Sequence, residues 1–307
     1  MNKIFTTAVT AALMASATPL LATDIIVVSH GQANDPFWSV VKNGATKAGE
    51  DTGVNVDYRA PETFDMVKMS QLIDAAANQE PDGIVVSIPD ADALGPSIER
   101  AVAAGIPVIS MNSGSEVAHD LGALLHVGQS EFDAGKAAGE KLASMGGTKG
   151  ICVNQEVGNV SLDMRCEGFA EGFGNEVTVI PTMNDPAEVE SKVRAALDSD
   201  PDVDTVLGLS ASLVGEPSVA AVQALGRDDV LVASFDLSAG FLQDVADGKA
   251  AFAIDQQQFL QGYLPVAFLA LHAQYGLMPG GDVASGPNLV TQNTAAQVID
   301  LSAKGIR

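Results

Sequence analysis

The sequence predicts an α/β protein built on two mostly parallel, helix-covered sheets. Three observations carry that expectation. Strand-like and helix-like runs alternate almost without interruption. Several of the strand-like runs are apolar on both faces, as strands are when helices cover both sides of a parallel sheet. Ten such runs are many for one sheet and comfortable for two.

The N-terminal stretch is set apart from that pattern. Lys3 supplies a positive charge, the following residues to Leu21 are largely apolar or small, and Leu20-Leu21-Ala22 ends on a small side chain before a strand begins at Asp24. Residues 1–22 read as a cleavable signal peptide rather than a membrane span, because small residues, threonines and Pro19 dilute the apolar run and no charged stop follows. Cleavage is expected after Ala22, with Ala17 as the second choice, and no cysteine stands near enough to carry a lipid anchor. The expectation is an exported, soluble protein, in a bacterium a periplasmic one. About 285 residues remain, enough for two domains.

Taken in order, the β-branched run DIIVVS (24–29) hands over to a helix. Asp35 is placed to cap it, Pro36 suits its first position, and Phe37, Val40, Val41, Gly44, Ala45 and Ala48 form one apolar or small face at helical spacing. Trp38, the single tryptophan of the chain, lies off that stripe, so the stripe does not account for it. Strand-like runs follow at 54–59, 83–88, 107–112, 124–129, 150–155, 176–181, 203–209, 230–236 and 250–255. Helix-like segments stand at 66–79, 92–104, 132–144, 188–199 and 213–225, and Leu162, Cys166, Phe169, Ala170 and Phe173 mark the apolar face of another. The pattern restarts: DIIVVSHGQANDPFW…KNGA has a coarse echo in KGICVNQEVGNVSLDMRCEGF, each a strand, a Gly/Asn loop and a helix. Alternation breaks at 113–124, which fits a boundary or crossover. YLPVAFLALHAQYGLM, interrupted by Pro265, His272 and Gln274, reads as a core helix.

The balance of 16 basic against 39 acidic residues excludes a binder of nucleic-acid backbones and disfavours anionic lipid; so much acid reads as solubility. The two cysteines, Cys152 and Cys166, invite a disulfide in an oxidising compartment, with two buried free thiols as the alternative. Without converging histidines they make a poor zinc site. The H-E-x-x-H, G-x-S-x-G and C-x-x-C motifs are absent, and Gly135-Lys136 is followed by Ala137 rather than a phosphate-loop hydroxyl. No catalytic residue, metal or cofactor is expected.

Polar residues instead gather at the carboxyl ends of strands, where ligands of open parallel sheets bind. Asn34, Asp90, Asn112, Asp236 and Gln256 stand there. Each has a structural alternative: Asp236 or Ser238 as a helix cap, Asn112 as a turn former. Arg165 falls near the start of the helix after 150–155, where a cation opposes the macrodipole by a few tenths to about 1 kcal/mol. Either an anion or ligand oxygens hold it there, or it pairs on the surface with Glu167 or Asp163. Asp, Arg, carboxamides and an indole together suit a neutral polyol. Hydroxyls both donate and accept, and the C–H face of a sugar stacks on an aromatic ring. Trp38 would be one wall of that slot, with Phe37 behind or beside it. Casting Asp35 and Asp236 as acid and base of a glycosidase would demand a particular carboxylate separation, which nothing in the sequence supplies.

NDPFW, GIVVSIPDADAL, AAGIPVISMNSG, RCEGF, VLVASFD and DGKAAFAIDQQQFLQGY, in this order and spacing, resemble the periplasmic sugar-binding proteins of the ribose-binding type, the class I solute receptors of ABC importers. The resemblance spans the whole mature chain. It implies two similar doubly wound parallel-sheet lobes joined by a three-segment hinge, one lobe of 23–128 plus 257–286 and the other of 129–256 plus 287–307. It implies a monomer that closes on a sugar or polyol and delivers it to the membrane permease of an importer. Family ligand contacts fall on Asp35, Phe37, Trp38, Asn112, Arg165, Asp236 and Gln256, with Asn34 adjacent. Ser210 stands where the family has a contacting Asn, Ile88 where it has a carboxamide, and Asn112-Ser113 where it has an Asp-Arg pair. Those departures move the expectation from ribose toward another pentose, a hexose, a sugar alcohol or a cyclitol. No clear aromatic offers itself as the stacking wall of the second lobe. A sensory receptor presenting a furanose to a membrane protein is the alternative role. Repressors of this fold are excluded by the export signal and the missing basic helix-turn-helix.

Overall fold

The computed structural model describes residues 23–31 and 35–307, so the expected signal segment 1–22 and the candidate Asn34 lie outside the described residues. The first sheet holds β1 (Asp24–Val28), β2 (Asn55–Arg59), β3 (Gly83–Val86), β4 (Val108–Asn112), β5 (His126–Gly128) and a late strand, β11 (Val283–Ala284). Its order is β11-β5-β4-β3-β1-β2, parallel throughout. The second holds β6 (Lys149–Asn154), β7 (Glu176–Pro181), β8 (Thr205–Gly208), β9 (Leu231–Phe235), β10 (Phe252–Asp255) and β12 (Asn288–Thr291). Its order is β12-β10-β9-β8-β6-β7, with β12 alone antiparallel. Strand for strand, the two orders are the same.

Alternation within each strand explains the doubly apolar runs. Val27 and Val28 belong to different hydrophobic clusters on the two faces of the first sheet, as Cys152 and Val153 do in the second. The helices α1 (Pro36–Thr52), α2 (Met66–Ala77) and α3 (Ala91–Ala103) cover the first sheet; α4 (Glu131–Ser144), α5 (Val160–Phe173), α6 (Pro186–Ser199), α7 (Glu216–Leu225) and α8 (Ala239–Ala246) cover the second. Then α9 (Gln258–Tyr275) returns to lie along α1, and α10 (Gln292–Ala303) packs on α8. The chain therefore passes between lobes after β5, after β10 and between β11 and β12.

One expectation is corrected and one gap is filled. Residues 113–124 are not a crossover: they are a turn-rich link between β4 and β5 inside one sheet, and the passage comes after β5. The sequence pattern also overlooked β11, β12 and α10, because the two short strands are partly exposed and carry no alternation. Cys152 on β6 and Cys166 on α5 form a disulfide with Cα atoms 5.7 Å apart, both buried, tying the helix to the strand before it. Among the described residues no helix is long and apolar enough to cross a membrane, and no cluster of side chains could hold a metal ion.

Candidate functional site

The carboxyl ends of both sheets face one cleft between the lobes, lined by His30, Asp35, Phe37, Trp38, Asn112 and, from the second lobe and the hinge, Gln155, Glu156, Leu162, Arg165, Leu209, Ser210, Asp236 and Gln256. Equivalent strands supply equivalent groups. Asn112 ends β4 with φ 63°, and Asp236 follows β9 with φ 70°. Left-handed backbone at a side chain other than Gly is uncommon and best tolerated by Asn and Asp. Glu80 and Gln257 share this backbone, but only Asn112 and Asp236 place it at the same point of the two lobes, and both of those side chains reach the cleft.

Gln256, at the second passage between lobes, joins them. Its Nε2 donates to Asp236 Oδ1 at 2.5 Å, and its Oε1 accepts from Asn112 Nδ2 at 3.3 Å. Gln261 on α9 accepts from the same Asn112 amide at 3.1 Å and donates to Ser285 Oγ, at the third passage, at 3.0 Å. A continuous polar chain thus runs from one lobe through two hinge segments to the other.

Asp35 caps α1, its Oδ1 accepting from the Phe37 N–H at 2.9 Å, so the cap and the cleft-lining group are one residue. Trp38 is buried: its indole meets His30 edge to face at 4.6 Å and Phe37 at 5.1 Å, and it rests on Gly31, where any Cβ would collide with it. The tryptophan is therefore a packed wall, held by the first lobe's core as well as lining the cleft.

His30 was not singled out by the sequence. Ser87 Oγ accepts from the His30 N–H at 3.0 Å and lies 2.8 Å from His30 Nδ1. With two lone pairs and one proton, the hydroxyl can accept from the backbone N–H and pair with Nδ1 in either tautomer of the ring. Burial, with Arg165 adding, pulls the imidazole down to about 3, so it is neutral. Nε2 lies 3.9 Å from Glu156 Oε2 across the cleft. His30, Gln155 and Glu156 all follow strand ends directly, so the rule that selected Asn112 would have reached them.

Arg165 is buried in the second turn of α5, not exposed in its first. Neither Glu167 nor Asp163 pairs with it: Nε donates to Glu131 Oε2 at 2.6 Å, Nη1 reaches Leu209 O at 3.5 Å, and the guanidinium lies 4.4 Å over the Phe235 ring. The second lobe's aromatic thus backs the arginine. Ser210 precedes a π-helical turn at 211–215 without capping it through its side chain, which leaves its hydroxyl to the cleft. Asp90 is not among the cleft residues; it caps α3 by accepting from the Ala93 N–H at 3.0 Å.

Burial pushes Asp35 and Asp236 each up to about 7, with neighbouring carboxylates adding to the shift, and burial also raises Glu156. Three carboxylates, one guanidinium, three carboxamides, a hydroxyl and an imidazole surround an indole and two leucines. Such a lining offers acceptors and donors to a ring carrying many hydroxyls, and flat apolar contact to its C–H face.

A sequence model of the periplasmic binding protein domain matches residues 25–277. A carbohydrate transporter from Acidothermus cellulolyticus, solved in complex with myo-inositol, superposes with a TM-score of 0.88 at 34% identity, covering 93% of this chain and 100% of that one. The ribose import binding protein of Escherichia coli is 25% identical over 263 residues, 83% of this chain and 87% of its own length. The xylose/arabinose-binding protein of Sulfolobus acidocaldarius is 25% identical over 266 residues; the match takes in 81% of this chain but only 65% of that protein.

Proposed function

The chain belongs to the periplasmic binding protein domain family, and from that premise we propose that it is a periplasmic receptor that captures a small polyol between its lobes and delivers it to the permease of an ABC importer. The observation that carries this reading is a cleft built from both lobes, with Asp35, Trp38 and Asn112 on one side and Arg165 and Asp236 on the other. A ligand that touches both sides favours the closed form by its differential contact with that form. The C–H face of the ligand rests on Trp38, its hydroxyls donate to Asp35 and Asp236, and Arg165 donates to its oxygens. No bond is made or broken. Residues 1–22 would direct export, and the lobes divide at 128, 257 and 286. A cyclitol is the first candidate, supported by the relative holding myo-inositol at 34% identity and by the missing Asp-Arg pair of the ribose pattern.

The test is a thermal-shift and calorimetric screen of myo-inositol, scyllo-inositol, ribose, xylose, arabinose, glucose and sugar alcohols. A specific ligand raises the apparent melting temperature, and changes the fluorescence of Trp38, the chain's single tryptophan. No shift with any of these compounds would overturn the polyol reading.

A further inference from the structure

Arg165 is the one cationic side chain among those lining the cleft. Glu131, which holds it, is the first residue of α4, directly after the first passage between lobes, and is fully buried. Its Oε2 accepts from Arg165 Nε at 2.6 Å and from Gln129 Nε2 at 3.0 Å. With Nε so engaged and Phe235 under the guanidinium plane, the terminal nitrogens keep only the long contact to Leu209 O.

The fold itself does not ask for this ion pair. The helices α9 and α1 repeat, in the first lobe, the packing of α4 on α5. Gly262 abuts the Val41 carbonyl as Gly135 abuts that of Arg165, and Gly44 meets the Phe259 carbonyl as Gly168 meets that of Phe132. At the places of Glu131 and Arg165 this second helix pair has Gln258 and Val41, and it packs without a charge. Burying an ion pair seldom stabilises more than an apolar pair would, so the charges in the second lobe serve the guanidinium's task.

We infer that Glu131 is a positioning residue of the binding site: it fixes the Arg165 guanidinium at the cleft and, through Gln129, ties it to the first interlobe passage. The inference rests on the polyol reading for its binding readout only. Calorimetry with myo-inositol on Glu131→Gln, Arg165→Met and the double variant measures the coupling. Glu131→Gln is expected to weaken binding by about tenfold or more. Added to Arg165→Met, it should weaken binding by less than about twofold further. The double variant should also regain the melting temperature lost in Glu131→Gln, while its affinity stays low. Equal losses in both backgrounds, or an unchanged affinity in Glu131→Gln, would overturn the inference. A second readout needs no ligand: the Arg165 Nε–H signal in ¹⁵N spectra should be resolved and slow to exchange in the wild type, and shifted or lost in Glu131→Gln. If the wild type binds no polyol, the functional reading falls, and the Nε–H signal alone decides on Glu131: unchanged in the variant, it refutes the role.

Discussion

Asp236 combines a left-handed backbone, burial at the cleft and a hydrogen bond from Gln256, and burial pushes its pKa up to about 7. In the unfolded chain it ionises near the ordinary carboxylate value. Between roughly pH 4 and 7 the folded state therefore holds the extra proton, and stability falls as the pH rises through that window. The wild-type curve alone hides this. His30, pulled down to about 3, and His126, down to about 4, are buried neutral and make the unfolded state the better proton binder below about pH 6.5, which tilts the curve the other way. Asp236→Asn removes one titration and keeps an acceptor for Gln256. The melting temperature of Asp236→Asn relative to wild type, without ligand, should rise from pH 5 to pH 8; a difference independent of pH would mean that Asp236 is ionised throughout. At this scale the sequence pointed to Asn112 and Asp236 by their place after strands, and to Asp35 and Arg165 by their place at helix starts and the family resemblance, yet missed Glu131. No local pattern marks a carboxylate at the start of α4 as the partner of an arginine 34 positions later.

Helix α5 is fastened twice, by the disulfide to β6 and by close approach to α4 at Gly135 and Gly168. The disulfide joins residues 14 apart, and closing a loop of about that length in the unfolded chain is worth about 3 kcal/mol. The double variant Cys152→Ala, Cys166→Ala should lose stability of that order in chemical denaturation, and an unchanged midpoint would show that the bond contributes nothing. The mirror contact in the first lobe gives a second expectation. A Cβ at Gly262 would collide with the Val41 carbonyl, so Gly262→Ala should force α9 away from α1 and cost about 1–3 kcal/mol, read as a lower melting temperature. Elements with strong periodicity, such as α1 and the β-branched β1, could be read from sequence because burial on fixed faces dictates their residues. The strand β11 could not, since Val283 and Ala284 gain their place only from pairing with Val127 and Gly128, distant in sequence.

On the proposed reading, closure of the whole molecule depends on contacts that bridge the lobes, and one lies away from the hinge: the Val160 N–H donates to Pro89 O at 3.0 Å. Val160 is the first residue of α5 and Pro89 follows β3, so this bond forms only when the two lobes meet. Backbone groups make it, so neither residue's side chain announces it in the sequence; the two lobes were legible from the repeat, their meeting edge was not. The bond can nevertheless be removed by one substitution. Proline suits the first position of a helix, where its fixed φ is already helical, and it restricts the preceding residue to extended backbone. Asn159 has φ −86° and ψ 104°, so α5 should accept Val160→Pro without unfolding. What changes is the interlobe contact, where a ring carbon replaces the donor against Pro89 O. The net worth of one such bond, about 0.5–1.5 kcal/mol, corresponds to weakening of roughly two- to tenfold. Val160→Pro should therefore lower affinity for the polyol by about that factor, with the ligand-free melting temperature nearly unchanged. Small-angle scattering should show a larger radius of gyration at a ligand concentration that closes the wild type. Unchanged affinity and scattering together would mean that this rim takes no part in closure, leaving the lobes to be drawn together by the ligand and the hinge network alone.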